Sequence, residues 1–376
     1  MGTASRDKAE WSGHHHSHAN TDDFVRRFLS ERHSRWRASF VISLVILLAL
    51  IVISSSVGYV HISPADTLIL LFQRIPLVGQ HLAGQSSVSS VDKTIFFQIR
   101  LPRIVGAIMV GSALAASGTV LQDIFSNALA DPFITGVSSG AAFGAALSIV
   151  LGFGSYVFGL NSIVAVAFVG GILSVVASFF VAGRNSNSAM FLLAGVTVTF
   201  LNSAGVAFLT VLAGDRLPAL VFWLMGGLNT VSWPVLTPTL PIIIFGLIGM
   251  LYFSRDLNAL LFGEEQAKSL GVNTTRVKAV LVAFTALVTA TSVSISGIIG
   301  FVGLIIPHVM RLIVGSDHRV LLPSSILVGA SFLLLCDTLA RTVALPMEIP
   351  VGVVTASVGG PFFIYLLRRQ RRFIAS

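Results

Sequence analysis

Asp337 and Arg341 stand four residues apart in a segment that is otherwise apolar, a spacing that sets both on one face of a helix. An isolated charge at the centre of a membrane-spanning helix costs roughly 2.5–3.5 kcal/mol on insertion scales. The two residues can therefore do one of two things: neutralise each other as a structural ion pair, or leave Asp337 as a proton carrier. The carrier reading lacks a second buried acid or a chain of histidines to pass the proton on. Of nine histidines, His14, His15, His16, His18 and His33 precede the first apolar segment, His61 and His81 lie in a later polar stretch, and His308 and His318 flank apolar ends. They compose neither HExxH nor a legible Ser-His-Asp set. Imidazoles at 14–18 suit zinc, nickel or copper, or simply a solvated tail. Cys336 is the single cysteine, which excludes an intrachain disulfide and a thiolate zinc site. The lysines follow Asp7, Asp92, Ala267 and Val277, so no Gly-Lys pair exists from which to build a phosphate-cradling loop. Enzyme readings are weak, and any ATP that drives this chain must be bound by a partner.

The elements that position these residues follow from composition. Of 376 residues 54% are apolar and 11% charged, against about 25% charged in an ordinary soluble domain. Mean hydropathy of +0.88 with 34 glycines describes an all-α polytopic membrane protein whose small residues let helices approach closely. Stretches free of Asp, Glu, Lys and Arg, each weighed against the roughly 20 residues a crossing needs, predict nine spans, and a shorter tenth within 298–314, which contains Pro307, His308 and Arg311, would return the chain to the side from which the preceding span left. They fall near 38–60, 103–126, 133–153, 161–182, 190–213, 234–253, 276–296, 303–314, 322–342 and 350–368. With the N-terminus inside, 18 Lys and Arg face the cytoplasm and six face outward. The positive-inside rule then sets both termini in the cytoplasm and relates the net charge of +8 to orientation rather than to nucleic acid.

Several segments are not simple spans. Residues 1–37 form a polar, basic cytoplasmic tail, with Phe24–Arg37 predicted as a basic helix on the anionic inner leaflet. Pro64–Ile75 reads as a short interfacial helix in the outer segment after span 1. Arg216–Gly227 is too short to cross and return, which predicts a re-entrant or surface helix. The inner loop 254–275 has helical spacing, with Ala259, Leu260, Phe262, Ala267 and Leu270 available for one face and breaks at Gly263 and Gly271. It predicts two short helices, a place for a soluble partner to press or a plain surface loop.

Four blocks carry a resemblance: QIRLPRIVGAIMVGSALAASGTVLQDIFSNALADPFITGVSSGAAFGAAL from Gln98, SGIIGFVGLIIPHVMRLIVGSDHRVLLP from Ser296, EIPVGVVTASVGGPFFIYLL near the end, and the pair LLAGV and WLMGGL between them. Over about 38–370 the chain resembles the FecCD-type permeases of type II ABC importers for iron-siderophores, haem and cobalamin. That resemblance implies a permease domain at 38–370 that translocates a metal chelate into the cytoplasm by alternating access in the inner membrane. It implies two ATP-binding-cassette subunits that hold ATP and magnesium, an extracytoplasmic binding protein, and a second permease copy. The chain itself would bind no cofactor and no nucleic acid. By the same resemblance Arg100, Arg103 and Arg341 would receive acids of the binding protein, a role suited to the always-charged, bidentate guanidinium. Asn127 and Ser188 would be gate residues, and Gly263, Glu264, Ala267, Leu270 and Gly271 would touch the ATPase as coupling helices. The competing readings are an ion-coupled secondary transporter, which needs more buried ionisable groups than Asp337, and a non-transporting scaffold.

Overall fold

The computed structural model describes residues 36–58, 60, 62–73, 88–153, 156–157, 160–183 and 188–374. The chain divides into two units, 1–42 and 43–376. The first is described only over 36–42, where the first helix begins. The expected metal-binding or solvated histidines and most of the basic leaflet helix lie outside the described residues.

The described residues are overwhelmingly helical. The helices are α1 (Trp36–Ser56), α2 (Pro64–Gln73), α3 (Ser90–Ile124), α4 (Val137–Leu151), α5 (Ser162–Ala182), α6 (Ser188–Leu212) and α7 (Leu217–Leu224). They continue as α8 (Trp233–Tyr252), α9 (Ser254–Leu260), α10 (Glu264–Ser269), α11 (Thr274–Ser296), α12 (Val302–Val314), α13 (His318–Thr342) and α14 (Val351–Ile374). Seven of these are long and apolar enough to cross a membrane, and the shorter apolar helices Val137–Leu151, Val302–Val314 and Val351–Tyr365 fall on the remaining three predicted spans. A hairpin of two short strands, Tyr156–Val157 with Leu160–Asn161, joins α4 to α5.

Local chemistry sets the boundaries. Asn161 caps α5 by accepting from the Ile163 amide at 3.0 Å, Asn273 caps α11 through the Arg276 amide at 3.1 Å, and Gly152 ends α4 in the left-handed region, φ 65°. Each supplies a partner or a backbone conformation that a helix end requires. The predicted interfacial helix is present as α2, with Ser63 accepting from the Asp66 amide at 3.1 Å. The segment predicted as a re-entrant or surface helix forms the short helix α7, and the inner loop forms α9 and α10, hinged at Gly263 with φ 100°.

One span departs from its predicted start. α3 begins at Ser90 rather than 103 and passes through a π-helical stretch at Ile95–Arg100. Segmentation by charge ended the span at Arg100 and Arg103. Both guanidinium groups are satisfied inside the protein, so the helix continues past them.

α3 is buried along almost all of Leu101–Ile124, though hardly over its first three turns, whereas α5, α6 and α8 leave most of their apolar windows uncovered. α3 and α13 run antiparallel, with Arg103 against Asp337 at one end and Asp123 against His318 at the other. They touch backbone to backbone: a Cβ on Gly111 would sit 2.3 Å from the Gly329 carbonyl oxygen, and one on Gly329 would sit 2.5 Å from that of Gly111. Small residues allow this contact between helices whose apolar side chains gain little from leaving lipid.

Candidate functional site

Two buried polar centres lie at opposite ends of the α3–α13 pair, separated by about 20 residues of helix, or ~30 Å, the thickness of a bilayer core.

At the first end, Asp337 is fully buried and faces two guanidinium groups. Arg103 Nε donates to its Oδ1 at 2.9 Å, and Arg341 Nε lies 3.1 Å from its Oδ2 within the same helix. Arg103 Nη1 also reaches Glu348, at 2.8 and 3.1 Å from the two carboxylate oxygens. Arg341 Nη2 donates to the Ser54 hydroxyl at 2.6 Å and to its carbonyl at 3.1 Å. Arg100 donates to the carbonyls of Ser55 and Val60. The ion pair expected from the i, i+4 spacing is therefore present, enlarged by an arginine from α3. The three arginines proposed for docking are only 5%, 7% and 7% exposed, for Arg100, Arg103 and Arg341, so each is committed first to holding this chain together. Beside them a cavity of about 570 Å³ is lined by Arg103, Glu348, Arg216, Trp223, Asn229 and Thr230, among others. Glu348, whose carboxylate is the exposed member of the cluster, was missed by sequence reasoning, since it lies between spans with no charge pattern of its own.

At the opposite end, Asp123 in the last turn of α3 accepts from Arg311 Nη2 at 3.0 and 3.1 Å. His318 Nε2 lies 2.5 Å from Asp123 Oδ2, and its Nδ1 lies 2.9 Å from Asn258 Oδ1. Gln122 accepts from Arg311 Nη1 at 3.2 Å. None of these contacts was anticipated. The available signals were an acid at the edge of a charge-free stretch and Arg311 inside an otherwise apolar short span.

Asn127 sits just beyond, in an exposed turn. Its side-chain oxygen accepts from the Leu129 amide at 2.9 Å, and Ser126 before it has a φ of 47°. Ser188 is the first residue of α6, and its side chain lies outside the described residues. The neighbourhoods of these two residues do meet, because Phe125 stacks on Phe191 with ring centroids 5.8 Å apart.

Asp131 caps the following turn through the Phe133 amide at 2.9 Å. Although the residue keeps some exposure, burial of its carboxylate raises its pKa to about 6, against the lowering effect of that amide. A raised carboxyl pKa makes the folded state bind its proton more tightly, so stability is greatest below the unfolded value and declines as pH rises to about 6. Asp131→Asn keeps the capping oxygen, so it should flatten this dependence and raise the melting temperature at pH 7.5 but not at pH 4, as read by thermal unfolding across pH.

Of the loop candidates, Gly263 is partly exposed, Glu264, Leu270 and Gly271 are exposed, and Glu264 pairs with Lys278. The hydrogen bond and charge of Lys278 hold the Glu264 carboxyl below its ordinary range. Ala267 is corrected: it is fully buried, pointing inward with Leu257 and Leu260 to seat the loop on the bundle. The single face expected for Ala259, Leu260, Phe262, Ala267 and Leu270 is thus divided, with Ala259 half-buried between the two sets. Phe262 and Leu270 point outward at 71% and 69% exposure.

Crossing-length apolar helices around buried charge define a multi-pass membrane protein. Over residues 46–369 the chain matches the FecCD transport family, and it belongs to that family, whose members are permeases of ATP-binding-cassette importers. It is 46% identical over 291 residues to the cobalamin import system permease BtuC of Halobacterium salinarum, covering 76% of each chain. It is 42% identical to the hemin transport system permease HmuU of Yersinia pestis, covering 74% of this chain and 84% of that one. A solved inward-facing metal-chelate type ABC transporter superposes with a TM-score of 0.76 at 34% identity, covering 88% of this chain and 98% of that one.

Proposed function

We propose that two copies of this chain form the path by which a metal chelate, of the cobalamin or haem kind, enters the cytoplasm. Two ATPase subunits grip the loops at 254–275 and an extracytoplasmic binding protein delivers the cargo. The observation that carries this reading is the loop itself: α9 and α10 are anchored by buried Leu257 and Ala267 and leave Phe262 and Leu270 uncovered. That is the form of a rigid handle for a soluble partner, in a chain whose sequence has no Gly-Lys pair for a phosphate-cradling loop. The count of 18 inner against six outer cations supports a cytoplasmic loop, tail and C-terminus. The exposed apolar ridge of α6, with Phe200, Leu201, Phe208 and Val211, is available to the second copy or to lipid.

Asn127 and Ser188 would close the inner end, and the arginine cluster would underlie the outer docking face. Because Arg103 faces Asp337 and Glu348, an Arg103→Glu change would break the fold and the docking together. Glu348 is the better probe of that face. Buried Asp337 is already paired with two guanidinium groups, which removes it as the carrier that the ion-coupled reading would use.

The test is uptake into proteoliposomes holding the permease, its ATPase and its binding protein, with cobalamin, haemin and a ferric siderophore each offered. ATP-dependent accumulation of one of them is expected. Accumulation without ATP that follows a proton or sodium gradient would reject the reading.

A further inference from the structure

We propose that Asn258, His318, Asp123 and Arg311 form a linkage in series that carries displacement of the 254–275 loop to the turn bearing Asn127. The proposal rests on the reading that an ATPase moves that loop, and it assigns positioning roles to residues that touch neither nucleotide nor cargo.

The chain of contacts is continuous. In α9, Asn258 Oδ1 accepts from the His318 backbone amide at 2.8 Å and lies 2.9 Å from its ring Nδ1, while Nδ2 donates to Asp317 Oδ1 at 2.8 Å. One side chain thereby holds the N-terminal turn of α13 through three contacts. The His318 ring, fully buried, spans from there to Asp123, which in turn pairs with Arg311 of α12. Gln122 locks α12 again, donating to the carbonyls of Gly303 and Leu304 at 3.3 Å. The Asn127 turn is fastened to these same residues. Its amide donates to the Gln122 carbonyl at 2.9 Å, and the Ser126 amide donates to that of Asp123 at 3.1 Å.

Apolar contacts between helices let them slide, whereas directional bonds in a low-dielectric interior fix orientation and resist being broken singly. Four elements, α9, α13, α3 and α12, are therefore held to move together. A shift of α9 has a rigid route to the last turn of α3 and so to Asn127, as expected where packed elements switch between discrete arrangements.

The test uses the whole complex in proteoliposomes and reads cargo imported per ATP hydrolysed. Asn258→Ala should leave ATPase binding and hydrolysis within about twofold of wild type while cargo per ATP falls about tenfold, a coupling loss of the usual allosteric size. His318→Asn and His318→Gln, each able to keep one half of the bridge, should uncouple to a similar degree, because a series link fails at any break. Asn258→Ala combined with Asp123→Asn should be no worse than the worse single change. Wild-type cargo per ATP in Asn258→Ala, or additive losses in the double variant, would overturn the linkage. If Asn258→Ala does not fold, the isosteric Asp123→Asn decides by the same ratio. Absence of ATP-driven uptake by the wild-type complex would instead remove the transport reading, and the linkage with it.

Discussion

Asp337→Ala is expected to lose about 3–5 kcal/mol of stability, the usual cost of removing one partner from a buried ion pair. The carboxylate is fully buried and serves Arg103 at 2.9 Å and Arg341 at 3.1 Å. Without it Arg103 keeps Glu348, but Arg341 is left with only the Ser54 oxygens and a neighbouring guanidinium of like charge. The cost is therefore an uncompensated cation, and that makes the prediction specific. Asp337→Asn, which keeps the shape and one acceptor, should fall between wild type and alanine. Asp337→Ala combined with Arg341→Met should be more stable than Asp337→Ala alone, since the orphaned charge has gone. Thermal unfolding of detergent-purified protein gives the order directly. An alanine variant that melts with wild type would mean that Asp337 is not structural, and would return it to the role of a titrating carrier.

Which features were legible follows from the range over which each acts. The apolar helices could be read because an apolar window is a local property: seven are long enough to cross a membrane, and three shorter ones, Val302–Val314 among them, fall on the remaining predicted positions. The start of α3 was misjudged for the complementary reason: Arg100 and Arg103 look like helix ends until their partners are known, and those partners lie 45 and 234 residues away. Ala267 fits either face of a short amphipathic helix by spacing alone, and only the bundle beneath decides that it turns inward while Leu270 turns out. The Asp337–Arg341 pair, four residues apart, was visible. The His318–Asp123 contact, separated by 195 residues, was not, because nothing in either local sequence specifies the other. Sequence thus carried the helices and the family motifs, and tertiary packing decided which polar residues hold the fold and which remain free to meet a partner.

That division makes the outward-facing loop residues the place where function can be lost without loss of fold. Phe262 and Leu270 are largely exposed, with Leu261 beside them at 43%, so replacing the first two with glutamate should change the stability of the isolated permease by no more than about 0.5 kcal/mol. An ATPase seated on this patch would have to bury the new carboxylates. Disruption of central apolar anchors costs about 2–4 kcal/mol at interfaces, roughly 30- to 1,000-fold in affinity. Phe262→Glu/Leu270→Glu should therefore purify with an unchanged melting temperature, fail to retain the ATPase subunit, and show no ATP-driven uptake. Asp215→Asn is the control: it is exposed and lies outside the loop, so stability should hold within about 0.5 kcal/mol and the ATPase should be retained. If the double glutamate variant still co-purifies with the ATPase and transports, the handle is elsewhere on the chain. If it loses uptake only together with its melting transition, the patch is a structural surface and no contact has been tested. Loss of the ATPase with the fold intact separates these outcomes, because Leu257 and Ala267, which seat the loop, are untouched by either substitution.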